Sequence, residues 1–211
     1  MDNNNVWLFY PNLIGYGRIV LAIVSMYYMS TAPFTAIVCY ALSAGLDAFD
    51  GWAARTYNQS SRFGAMLDQL TDRCALLSIV MALCKFYPNW LFFLQLSAVI
   101  DIASHWLHLH ATDLSGANSH KQSSNPILHL YYTNRTFLGL MCGGNEAFYI
   151  FLYIRAFWPG PSILGAHFMS ILAFFAFFVA FIKTAISIVH LFTAAEMVVA
   201  HDIRLRQERN E

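Results

Sequence analysis

DAFDGWAARTYNQSSRFGAMLDQLTDR, residues 47 to 73, packs four aspartates and three arginines into a chain that is otherwise apolar. Of its 211 residues 58% are hydrophobic and 11% charged, less than half the roughly 25% charged that is usual in soluble domains. This is a membrane composition. A charged side chain inside a bilayer is costly and normally faces a bundle interior or a water-filled cavity. The helices that carry this stretch must therefore turn its carboxylates toward one another or toward a cation.

Outward from it, apolar runs cover about residues 11–29, 33–54, 64–86, 89–110, 136–158 and 161–194, each near or above the roughly 20 residues that span a bilayer. The pattern predicts an all-α integral membrane protein with six transmembrane helices, one membrane domain over 1–211 and a cytosolic tail at 195–211. Pro11, Pro33, Pro88, Pro159 and Pro161 fall at the proposed helix ends, where a missing N–H is tolerated. The opening MDNNN has no basic residue and Arg18 lies inside the first run, so that run reads as a retained helix and not as a cleaved leader.

Twelve basic and twelve acidic residues cancel, which argues against nucleic acid as a partner. With the N-terminus in the cytosol, Arg55, Arg62, Lys121, Arg135, Arg204, Arg206 and Arg209 are cytosolic. Only Lys85 and Arg155 border the opposite turns, as the positive-inside rule requires. Both termini are then cytosolic, and the sequons at Asn58 and Asn134 are expected to carry no sugar. The 111–135 connection is the one long loop, hence a candidate gating element. Cys39, Cys74, Cys84 and Cys142 stand singly and suggest neither disulfides nor zinc. Trp7, Trp90, Trp106 and Trp158 fall near the predicted interfaces, as an aromatic belt would.

At 100° per residue, Asp47, Asp50 and Ala54 share one stripe of the second helix, and Gly64, Asp68 and Asp72 one stripe of the third. The short polar link between them suggests antiparallel neighbours, so an active site is expected between helices 2 and 3 at the cytosolic side. Carboxylate oxygens suit Mg2+ or Mn2+, and two such ions balance four aspartates and can clamp a diphosphate. Arg55 and Arg62 add positive charge near the mouth. Gly51, Ala54 and Gly64 remove bulk beside the carboxylates. A polar network or cation site that only holds helices together is the alternative.

The pattern D-x-x-D-G-x-x-A-R-x8-G-x-x-x-D-x-x-x-D runs without departure through Asp47, Asp50, Gly51, Ala54, Arg55, Gly64, Asp68 and Asp72. In this the chain resembles the CDP-alcohol phosphatidyltransferases. Longer segments, PNLIGYGR at 11–18, DIASHWLHLH at 101–110 and AISIVHLFTAA at 185–195, resemble the eukaryotic branch that uses inositol as acceptor. The resemblance implies transfer of a phosphatidyl group from CDP-diacylglycerol to myo-inositol, in a homodimer of the endoplasmic reticulum membrane. It also implies that Asp47, Asp50 and Asp68 bind the metals with help from Asp72, that Asp72 is the catalytic base, and that Gly51, Arg55 and Ser61 contact the CDP-lipid. Another acceptor alcohol, such as glycerol phosphate, is the alternative within the family.

Asn12 and Arg18 either line the nucleotide end of the cavity or cap and anchor the first helix. Inositol, neutral and densely hydroxylated, needs several donors and acceptors around it. Asp101, His105, Asn145, Glu146, Lys183 and His190 are the candidates inside the later helices, with a structural Glu146–Lys183 ion pair as the competing reading. Gly139, Gly143, Gly144, Ala176 and Ala180 favour close helix packing, within one chain or between two.

Overall fold

A computed structural model describes residues 5–115, 133–163 and 165–210; Lys121 and most of the 111–135 connection lie outside them. Six long helices follow in chain order: α1 Tyr10–Tyr28, α2 Pro33–Thr56, α3 Arg62–Phe86, α4 Leu91–Ser115, α5 Arg135–Phe157 and α6 Phe168–Asn210. Short 3-10 turns at Val6–Leu8 and Pro88–Trp90 precede α1 and α4. The chain forms two compact units, Met1–Tyr87 with α1 to α3 and Pro88–Glu211 with α4 to α6.

Among the described residues three stretches, Pro88–Leu114, Thr136–Phe157 and Phe168–Arg209, are long and apolar enough to cross a membrane. α2 and α3 are 24 and 25 residues long, but they carry the charges of the opening stretch. The burial pattern inverts that of a soluble protein. Arg18, Asp50, Asp101, Asn145, Lys183 and His190 are buried, whereas Phe174, Phe175, Phe178 and Phe181 are exposed. Apolar solvent outside and paired polar groups inside is the arrangement a bilayer selects.

In the first unit the buried face of α1 runs through Asn12, Gly15, Arg18, Ala22 and Ser25, the three-and-four spacing of one helical stripe. Along that stripe Ser25 Oγ donates to the Ala36 carbonyl at 2.8 Å, and Ser43 Oγ on α2 donates to the Arg18 carbonyl at 3.0 Å. Gly15 faces α3, where a Cβ would stand 3.0 Å from Leu67 Cδ2. α1 thus packs along both its neighbours, most extensively along α2, while α2 and α3 scarcely touch. The short link joins α2 and α3 as successive helices whose carboxylates converge, but it is α1 that packs along both.

The link itself is built tightly. Asn58 takes a left-handed φ of 52°, and the Gln59 N–H reaches back to the Ala54 carbonyl at 2.9 Å, which closes α2 with a Schellman turn. Gln59 Oε1 then accepts from the Tyr10 N–H at 2.8 Å, tying the start of α1 to the link. Ser61 Oγ caps α3 by accepting from the Gly64 N–H at 3.0 Å.

In the second unit α6 packs along both α4 and α5. Gly144 meets Val179, and Ala176 and Ala180 are buried, whereas a Cβ at Gly139 or Gly143 would meet nothing within 4 Å among the described residues. The expected sixth helix at 161–194 needs correction at both ends. β1 Ser162–Ile163 pairs antiparallel with β2 Ala166–His167, with Gly160 and Gly165 at φ 77° and 83°. The supposed tail is helical to Asn210; its Leu, Arg, Gln and Glu residues are good helix formers.

Candidate active site

The four aspartates converge. Asp47 and Asp50 arrive from α2, Asp68 and Asp72 from α3, and all four meet the guanidinium of Arg18 on α1. Its Nη1 lies 2.6 Å from Asp50 Oδ2 and 2.6 Å from Asp68 Oδ1; its Nη2 lies 2.8 Å from Asp47 Oδ1 and 2.5 Å from Asp72 Oδ1. Each nitrogen thereby joins one carboxylate of α2 to one of α3. Arg18, which the sequence suggested for the nucleotide end of the cavity or for anchoring, stands at the centre of the carboxylates and is 1% exposed. Arg73 adds a longer contact to Asp72 Oδ2, 3.7 Å.

Asp47, Asp50 and Asp68 each offer one carboxylate oxygen, and these oxygens all lie within 4.8 Å of one another. A set of hard oxygens at such separations fits a divalent cation such as Mg2+ or Mn2+. Asp72 stands outside that tight trio while sharing Arg18 with it.

A cleft of about 150 Å3 opens beside the trio, lined from α1 by Asn12 and Gly15, from α2 by Asp50, Gly51 and Ala54, and from the link and α3 by Gln59, Ser60, Ser61, Gly64 and Asp68. Five residues singled out in the sequence for the CDP-lipid or its phosphates, Asn12, Gly51, Ala54, Ser61 and Gly64, come together here. Arg55 and Arg62 are exposed and do not line it, though the Arg55 guanidinium lies 3.4 Å from the point a Gly51 Cβ would occupy. Gly15, Gln59 and Ser60 were not picked out by sequence reasoning. The small residue at Gly15 and the polar turn at Gln59–Ser60 were the available signals.

The glycines are needed for contact. A Cβ on Gly64 would fall 2.7 Å from Asn12 Oδ1, and Asn12 is itself fixed by donating from Nδ2 to the Val6 carbonyl at 2.6 Å. The cleft wall is therefore a close approach of α1 to α3 that excludes side-chain bulk at this point.

In the second unit, four of the candidates for inositol gather. Lys183 Nζ on α6 donates to Asp101 Oδ1 on α4, where the sequence had offered Glu146 as its structural partner. His105 Nδ1 lies 2.7 Å from the Asp101 carbonyl, and the His190 ring stands 6.2 Å from that of His105 and 4.0 Å from that of His108. Asn145 is buried and Glu146 half-buried on α5.

Comparison with known proteins agrees with the motif. The CDP-alcohol phosphatidyltransferase family matches residues 8–197. The chain is 47% identical to the CDP-diacylglycerol--inositol 3-phosphatidyltransferase of Mus musculus, over 99% of this chain and 100% of that one. It is 48% identical to the protein of the same name from Drosophila melanogaster, over 100% and 93% of the two chains. The corresponding figure for Saccharomyces cerevisiae is 37%, over 98% and 93%. No solved structure matches it. With an unbroken aspartate motif and a match along nearly its whole length, the chain belongs to the CDP-alcohol phosphatidyltransferase family.

Proposed function

We propose that this protein transfers the phosphatidyl group of CDP-diacylglycerol to myo-inositol, forming phosphatidylinositol and releasing CMP. The observation that carries this reading is the trio of aspartate oxygens within 4.8 Å of one another beside a cleft, in a chain whose full-length relatives bear the name of that activity.

Asp47, Asp50 and Asp68, helped by Asp72, would hold two divalent ions, Mg2+ or Mn2+, and such ions would supply positive charge to the diphosphate and the leaving group. Asp72, outside the tight trio, accepts the proton of the inositol hydroxyl. That hydroxyl oxygen bonds to the lipid-side phosphorus, the bond from this phosphorus to the bridging oxygen breaks, and CMP departs with the bonding pair. Because a carboxylate near metals is a weak base, much of the gain comes from holding the hydroxyl in line. Gly51, Arg55 and Ser61 contact the CDP-lipid, with Asn12, Ala54, Arg62 and Gly64 extending that surface. Within the second unit, Asp101, His105, Asn145, Glu146, Lys183 and His190 offer the kinds of donors and acceptors that inositol hydroxyls need.

The same reading takes all six helices as membrane-spanning and puts the aspartates at the cytosolic side of the endoplasmic reticulum membrane, with both termini cytosolic. The charge asymmetry of the loops supports that orientation. It also takes the protein as a homodimer, for which the open faces of Gly139 and Gly143 are suited.

The test is an acceptor panel. Purified protein with CDP-diacylglycerol and Mg2+ or Mn2+ should release CMP with inositol, and far more slowly with glycerol phosphate, serine or choline. Release that needs glycerol phosphate and ignores inositol would assign the other branch of the family.

A further inference from the structure

Arg18 does more than neutralise. Its two outer nitrogens divide four carboxylates evenly, one from each helix per nitrogen, at 2.5 to 2.8 Å. Four aspartates against one guanidinium, with Arg73 adding only a longer contact to Asp72 at 3.7 Å, leave an excess of formal negative charge at a point that is nearly closed to solvent on the arginine side. Arg18 Nε, by contrast, is buried with no hydrogen-bond partner among the described residues, and leaving such a donor unmade costs stability. A guanidinium placed only to staple helices would satisfy its inner nitrogen too. This one spends both outer nitrogens on the very carboxylates that are suited to a divalent ion and leaves the remainder unpaired.

We infer that Arg18 is a tethered counter-cation, which competes with divalent metal for the oxygens of Asp47, Asp50, Asp68 and Asp72. This inference rests on the metal-binding reading given above. A divalent ion offers these oxygens twice the charge of the guanidinium and a shorter approach. Metal loading and withdrawal of Arg18 are then one exchange, in which the carboxylates are never left facing each other bare. The exchange lowers apparent metal affinity, because part of the binding energy goes into displacing the arginine. It also keeps α1, α2 and α3 together before metal arrives. Arg18 is in this sense a positioning residue, acting through the carboxylates and not on the substrate.

Mn2+ binding, followed by electron paramagnetic resonance on the purified full chain in detergent, tests this without turnover. Arg18→Gln should bind Mn2+ more tightly than the unaltered protein, by about tenfold, within the usual range for coupled binding events. Its melting temperature in EDTA should fall, and the rise in that temperature on adding Mn2+ should grow. Arg18→Lys, whose single ammonium cannot divide itself between four carboxylates, should lie between the two in Mn2+ affinity, and it carries the test alone where Arg18→Gln fails to fold. Equal or weaker Mn2+ affinity in both variants, with Mn2+ still binding the unaltered protein, overturns the inference and leaves the metal site standing. Absence of Mn2+ binding to the unaltered protein, or undiminished binding in Asp68→Asn, overturns both.

Discussion

Replacing Gly64 with alanine would put a methyl group 2.7 Å from Asn12 Oδ1 and 3.1 Å from Ser61 Oγ. Neither neighbour can retreat freely. Asn12 is 1% exposed and bonded through Nδ2 to the Val6 carbonyl at 2.6 Å, while Ser61 Oγ caps the N–H of Gly64 itself at 3.0 Å. Overpacking of this kind costs about 1–3 kcal/mol, and breaking the asparagine bond adds about 1 kcal/mol. We expect Gly64→Ala to lose roughly 3 kcal/mol, the middle of that combined range. Because Asn12, Ser61 and Gly64 all line the cleft, KM for CDP-diacylglycerol should rise as well. Thermal unfolding in detergent and steady-state kinetics measure the two effects. Asn12→Ala removes the tighter of the two clashes, so the Asn12→Ala, Gly64→Ala double variant should be more stable than the sum of its parts by about 1 kcal/mol or more. A strictly additive cycle, or a Gly64→Ala protein within about 0.5 kcal/mol of the original, would refute the close approach of α1 to α3.

Two further outcomes follow from the second unit. Lys183→Met strands Asp101 without its buried lysine and should cost about 3–5 kcal/mol; adding Asp101→Asn should restore a large part of that loss, read from the same unfolding curves. Gly144→Ala drives a methyl group into Val179 Cγ1 and should destabilise by about 1–3 kcal/mol, with Val179→Ala as the relieving partner change. A neutral Gly144→Ala would mean that α5 and α6 do not meet at that point.

Much of the site was legible because helical periodicity is a local property. The spacing of Asp47, Asp50, Asp68 and Asp72 decides which face of each helix carries them before any neighbour is known. The place of α1 was not legible in that way. Its stripe through Asn12, Gly15 and Arg18 declares a buried face, but nothing in the spacing says that Arg18 will meet four aspartates from two other helices. The short link between α2 and α3 pointed to neighbouring helices with converging carboxylates, but not to α1 as the helix that packs along both. Asp101 and Lys183, 82 positions apart, are joined only by the packing of α4 on α6. The start of α6 did leave a trace: Pro159, Gly160, Pro161 and Gly165 are four breakers in seven residues, enough to interrupt a helix. Its far end left none, since an apolar run marks what can face lipid and is silent about helix that continues into water.

The chain order of the charges bears on how such a segment enters a bilayer at all. Aspartates at the middle of a membrane helix each oppose insertion by about 2.5–3.5 kcal/mol. Translation delivers α1 first, and the α1–α2 contact is the most extensive in its unit. In the proposed six-span reading, the arginine that bonds Asp47 and Asp50 precedes α2 in synthesis, and the acidic face of α3 follows last. Moving that arginine from α1 to a later helix would preserve the charge count and lose that order of synthesis.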